Sequence, residues 1–201
     1  VAWVDLQDKN IESRLTYFSQ FEQIVGFRHV VQSEKDPDFL ARPDFLRGVH
    51  LLETFDFTYD LLIYSNQLNS GIEFCKKNSN QKIVLDHLAK PPIKSGNISE
   101  WKKSIEKFKE LENVSAKISG LITEAEWYHW NGKDILDVIE VSLDVFGSDR
   151  LMFGTDYPVV LVAEELSIWV QTFKRSIAQL SPDEIRKITT DNCLQFYKIE
   201  L

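Results

Sequence analysis

Apolar residues recur along this chain in two alternating periods. Short apolar runs fall at residues 1–4, 25–32, 59–64, 82–87, 114–119 and 150–154, and each reads as a strand. Between them the spacing lengthens to the helical period. Ile11, Leu15 and Phe18 mark a helix over residues 10–20. Phe45, Val49 and Leu52 mark another, entered at Pro43, which suits the first helical position. Residues 67–77 and 133–146 carry the same stripe. Trp101, Ile105, Phe108 and Leu111 form one face of a helix for which Ser99 is the expected N-cap. One or more helices follow to about residue 179. Ser181, Pro182 and Glu184 then spell a capping box that opens a final helix running toward Tyr197.

Strand and helix therefore alternate six times, with no linker and no low-complexity tract, so residues 1–201 form a single domain. Connections of helix length require parallel strands. At about 33 residues per unit the repeat is that of a (β/α)8 barrel, with two units fewer than closure needs. An open doubly wound sheet is the competing architecture. It would carry a glycine-rich phosphate loop after a strand, and none is present. Polar residues instead decorate the strand ends, which favours the barrel.

Composition narrows the function. With 43% hydrophobic residues the chain has ample core material, and a net charge of −8 argues against nucleic acid and anionic membrane as partners. Lys and Arg are scattered among the acids. Cys75 and Cys193 form no metal-binding spacing, and Cys75 falls in a helical stripe as a buried thiol. That cysteine usage suits a reducing cytoplasm. The first residue is Val1, inside an expected strand, so the sequence reads as a piece of a longer or processed protein.

Chemistry concentrates at two strand ends. The run Leu151, Met152, Phe153 stops at Gly154 and delivers Asp156 into a turn closed by Pro158. The C-terminal ends of parallel barrel strands are where such folds hold their reactive groups. Asp156 is a general base or a metal ligand there, or a turn-forming aspartate; position alone leaves these open. The strand over 82–87 ends in Asp86 and His87, which point to opposite faces if the strand continues through them. His87 can polarise a carbonyl or bind a divalent ion. Arg28 and His29 end an earlier strand and are candidates for substrate contact. Lys90, set before two prolines, could meet an anionic group. The loop over 120–130 is unusually aromatic, and Glu124, Trp127 and Trp130 could contact a sugar by hydrogen bonding and ring stacking. His50 and His129 read as structural. No serine-hydrolase elbow, His-Glu-x-x-His helix or cysteine zinc site is present.

Six segments in order, WVDL (3–6), GFRHVVQ (26–32), YDLLIY (59–64), LDHLAKP (85–91), KISGLITEAEW (117–127) and RLMFGTDYP (150–158), resemble the amidohydrolase-related sugar-lactonase group, relatives of L-fuconolactonase and 2-pyrone-4,6-dicarboxylate lactonase. The resemblance implies a (β/α)8 barrel that opens the ester ring of a small lactone. It implies that Asp156 activates the water and that His87 holds the substrate carbonyl or a metal. A divalent, zinc-like ion at His87 and Asp156 is compatible with the resemblance, and dispensable in this branch. Thr155 and Tyr157 stand where Ser and Trp are common. The His-x-His pair that ends the group's first strand has no counterpart here, so the strands correspond to the third through the eighth. Metal-dependent decarboxylases and hydratases of small carboxylates share the superfamily and give a second reading. An inactive truncated chain is a third. A barrel short of two strands could also bury its seam against another copy, as a homo-oligomer.

Overall fold

The computed structural model describes residues 1–200. Five strands, β1 (Gly26–Phe27), β2 (Thr58–Leu61), β3 (Ile83–Leu85), β4 (Val114–Ile118) and β5 (Leu151–Phe153), pair in sequence order. Every pairing is parallel: Phe27 lies beside Tyr59, Asp60 beside Val84, Leu85 beside Ala116 and Lys117 beside Met152. The sixth expected strand, at the N-terminus, is reduced to one parallel bridge between Ala2 and Phe27. Ala2 donates to the Gly26 carbonyl at 2.9 Å and accepts from the Arg28 amide at 2.9 Å, and pairing stops there. Among the described residues β5 pairs with β4 alone. The architecture is thus an α/β fold with a five-stranded parallel sheet, of the barrel type.

Helices α2 (Pro43–Thr54), α3 (Leu68–Lys77), α4 (Ser99–Ile105) and α5 (Gly132–Phe146) supply the crossovers, α1 (Ile11–Phe18) precedes β1, and α6 (Leu166–Ser176) follows β5. Pro43 opens α2 as expected. Ser99 does not cap α4: it is already the first helical residue, and the side chain of Asn97 accepts from its amide at 3.1 Å. Ser181 and Glu184 form the expected capping box at α7 (Pro182–Arg186). The last helix then widens into a π-helical turn over Lys187–Asp191 before α8 (Asn192–Tyr197). Among the described residues no helix is long and apolar enough to cross a membrane.

Strand alternation sorts side chains onto two faces. Tyr59, Leu61, Ile83, Leu85, Val114, Ala116, Ile118 and Leu151 join the large core under the helices, together with Cys75. The opposite face is different. Its apolar content is a small cluster of Val84, Met152 and Tyr197, and the same face carries Asp60 and Lys117. A sheet face holding buried charge is energetically tolerable only if those charges are paired, and this face walls the cavity described next.

Candidate active site

A cavity of about 420 Å³ opens at the C-terminal ends of β3, β4 and β5 and is lined by Arg28, Asp86, His87, Lys117, Ser119 and Asp156, among others. Its shape depends on how β3 ends. From His87 the backbone turns left-handed for four residues, with φ of 53°, 52°, 56° and 52° at His87, Leu88, Ala89 and Lys90. None is glycine, so each costs about 1–2 kcal/mol. Such conformations persist where surrounding contacts impose them. Here the indole of the buried Trp101 donates to the Leu88 carbonyl at 2.8 Å. The turn overrides the strand alternation, so Asp86 and His87 line the same cavity instead of facing opposite ways. The loop after β5 is pinned similarly: the Trp169 indole donates to the Gly154 carbonyl at 3.0 Å, and Asp156 is left-handed with φ 56°.

These two turns bring His87 Nε2 to 3.8 Å from Asp156 Oδ1. That is too long for a hydrogen bond, and it admits a water within about 2.8 Å of both atoms. On the other side of the ring, His87 Nδ1 lies 2.8 Å from Ser119 Oγ. A lone pair on Nε2 would face the Asp156 carboxylate, so the favoured tautomer carries its proton on Nε2 and accepts from the Ser119 hydroxyl at Nδ1. Gly120 completes the contact. A Cβ there would fall 2.8 Å from His87 Nδ1 and 3.0 Å from Asp156 Oδ2, at a φ of 62°.

Charges around the pair are balanced by contact. Asp86 is fully buried and held by Arg28 Nη1 at 3.1 Å and by Lys117 Nζ at 2.8 Å. Lys117 also reaches Asp60 at 2.5 Å, and the Tyr197 hydroxyl lies 3.0 Å from both Asp60 oxygens. Burial opposes ionisation of Asp86, but Lys117, His87 and Arg28 together bring its pKa below the ordinary value. Burial lifts Asp60 against the attraction of Lys117. Burial also disfavours the Lys117 ammonium, yet its two carboxylates outweigh that and hold it protonated. At the His87–Asp156 pair burial dominates. It raises the Asp156 carboxyl against the pull of His87 and Lys90, and lowers the His87 imidazole against the pull of Asp86 and Asp156.

The other sequence candidates scatter. Arg28 lines the cavity. Lys90 pairs with Glu124 at 3.4 Å and sits over the Tyr64 ring at 5.0 Å, clasping the loops after β3 and β4. Glu124 and the half-exposed Trp127 line a neighbouring depression. Two candidates lie elsewhere. His29 is buried against the Phe39 ring, with Nε2 2.8 Å from Glu34, because the chain leaves β1 after Phe27 and turns that side chain into the helical layer. Trp130 packs on the core at the mouth of α5, beside Leu136 and Thr172. Sequence reasoning did not single out Asp60, Lys117, Ser119, Gly120 or Tyr197. The legible signal was a charge in mid-strand: Asp60 and Lys117 interrupt otherwise apolar parallel strands.

A metal would find two donors in His87 and Asp156. Among the described residues no group of three or more His, Cys, Asp or Glu side chains is placed to hold an ion, so these residues do not by themselves complete a metal site.

A model of the amidohydrolase family matches residues 1–199. The chain belongs to that family. It is 34% identical to an L-fucono-1,5-lactonase of Burkholderia multivorans over 81% of this chain and 58% of that one. A second L-fucono-1,5-lactonase, from Burkholderia ambifaria, is 28% identical over 100% of this chain and 70% of its own length. This amidohydrolase chain thus spans between about half and about two thirds of the curated relatives it matches. Among solved structures, an amidohydrolase of Burkholderia multivorans crystallised with bound zinc superposes with a TM-score of 0.94 at 31% identity, covering 100% of this chain and 73% of that one. A solved structure from Pseudomonas putida superposes at a TM-score of 0.81 with 15% identity over 99% and 71% of the two chains, a likeness of fold alone.

Proposed function

We propose that this amidohydrolase chain carries the water-activating half of a site that hydrolyses a small, neutral sugar-acid lactone of the L-fuconolactone kind. The observation behind the reading is the His87–Asp156 pair, 3.8 Å apart in a cavity of about 420 Å³, in a chain similar to two L-fucono-1,5-lactonases. Lactone hydrolysis needs a water, a base for its proton and a hydrogen-bond donor at the oxygen where charge develops. Asp156 is the base. As water attacks the carbonyl carbon, its proton passes to Asp156. The Nε2–H of His87 donates to the carbonyl oxygen as it becomes an oxyanion. Collapse then breaks the ring C–O bond, and protonated Asp156 returns its proton to the departing alkoxide, giving the open hydroxy acid. Ser119 and Gly120 hold the imidazole in register.

Hydrolysis of a lactone panel by wild type and by Asp156→Asn tests the reading. The variant should keep its fold by circular dichroism and lose about 10²–10⁴-fold in kcat/KM. Near-native turnover by the variant would remove Asp156 as the base. Because a similar amidohydrolase was crystallised with bound zinc, each assay is run with and without a chelator.

A further inference from the structure

Strand β4 presents two polar side chains to the cavity, and the chemistry above uses only one. Ser119 serves His87. Lys117 lies one pleat deeper, about 7 Å along the strand. Its ammonium is rigidly seated. Nζ contacts Asp60 Oδ2 at 2.5 Å and Asp86 Oδ1 at 2.8 Å, and stands 5.5 Å from the Tyr197 ring centre. Neither carboxylate is free to swing: the Tyr197 hydroxyl reaches both oxygens of Asp60, and Arg28 holds the far oxygen of Asp86. An ammonium has three donors. One is donated to Asp60, the Asp86 oxygen faces the group as an ion pair, and the side chain still lines the cavity.

We infer that Lys117 is a substrate-binding residue, donating its remaining N–H to a ring hydroxyl on the part of the lactone farthest from the reacting carbonyl. The inference rests on the lactone reading and deepens it. His87 and Asp156 sit where the carbonyl reacts, and Lys117 reads what lies below. A cation already paired with two acids attracts a hydroxyl by directed hydrogen bonding without favouring a second substrate carboxylate. The site therefore selects polyhydroxylated lactones over bare ones.

A purely structural role, neutralising two buried acids, makes a different forecast, and two lactones separate the roles. Steady-state kinetics are measured on L-fucono-1,5-lactone and on δ-valerolactone, a six-membered lactone with no hydroxyl groups. Lys117→Gln is combined with Asp60→Asn so that no buried carboxylate loses its only cation. The double variant should raise KM for the hydroxylated lactone about 10–100-fold, with kcat changed less than about threefold. Its kcat/KM should fall at least about tenfold more for that lactone than for δ-valerolactone. Lys117→Arg keeps the charge while displacing the donor; it should show the same split and serves if the double variant does not fold. Equal losses on both lactones, or no change in KM, would reduce Lys117 to a counter-ion and leave the lactone reading standing. Wild-type protein inactive on every lactone would remove that reading and this role together.

Discussion

Gly120 is the residue on which the His87–Asp156 pair leans. The contact distances of an added Cβ, 2.8 Å to His87 Nδ1 and 3.0 Å to Asp156 Oδ2, are shorter than such atoms tolerate, and the obstructing groups are ring and carboxylate rather than flexible chain ends. Gly120→Ala must therefore move one of them. The left-handed φ adds about 1–2 kcal/mol of strain. A displacement near 1 Å at reacting groups can cost about 10²-fold in rate. The expected result is a loss of about that size in kcat, with the variant still folding cooperatively in urea. Unchanged kcat would mean that His87 and Asp156 do not act from the positions described. This glycine was not legible as a site residue in the sequence, where it ends a strand like many others. The placing of Asp156 and His87 in one cavity was legible because a carboxylate and an imidazole stood close after apolar runs. His29 met the same criterion and proved to be packed against Phe39, since position after a strand does not report which way the chain turns next.

Two tryptophans of the helical layer set the loops that carry His87 and Asp156. Trp101 from α4 holds the turn after β3, and Trp169 from α6 holds the loop after β5, each through one indole N–H to a backbone carbonyl. The helical stripes were readable from spacing, but spacing shows only that such a ring is buried. It does not show that its one polar atom fixes a strained turn a strand away. For the same reason the opposed faces expected for Asp86 and His87 did not hold: four left-handed residues end the alternation, and their sequence contains no glycine to announce them. Trp101→Phe tests the element-level argument. It keeps an aromatic ring and leaves the Leu88 carbonyl without its donor. Stability should fall by about 1–3 kcal/mol in denaturant titration, and kcat should fall as well, because the His87 turn loses its tether. A stability loss with kcat intact would separate the tether from the site.

At the scale of the whole molecule, the hydroxyl of Tyr197 on α8 meets Asp60 on β2 beneath the same cavity, so residues far apart in sequence share the buried charges. Burial acts oppositely on the two reacting groups. Asp156 has a folded pKa raised above its unfolded value. Its contribution to stability is fully present below the unfolded carboxylate value and is lost as pH rises through the folded one. His87 has a lowered folded pKa, so its contribution is present above the ordinary imidazole value and is lost as pH falls through the folded one. Near neutrality the protein therefore holds an ionised base at some expense of stability and a neutral imidazole at little. Two measurements follow from these signs. The acid limb of kcat/KM should lie above the ordinary carboxylate range, since Asp156 must be ionised to accept a proton. Asp156→Asn, expected to lose about 10²–10⁴-fold in kcat/KM, should unfold at higher urea concentration than wild type at neutral pH, with the difference shrinking toward zero as pH falls below the unfolded carboxylate pKa. A variant less stable than wild type at neutral pH would show that the Asp156 charge is stabilised by its surroundings. Burial would then not be the dominant influence on the base.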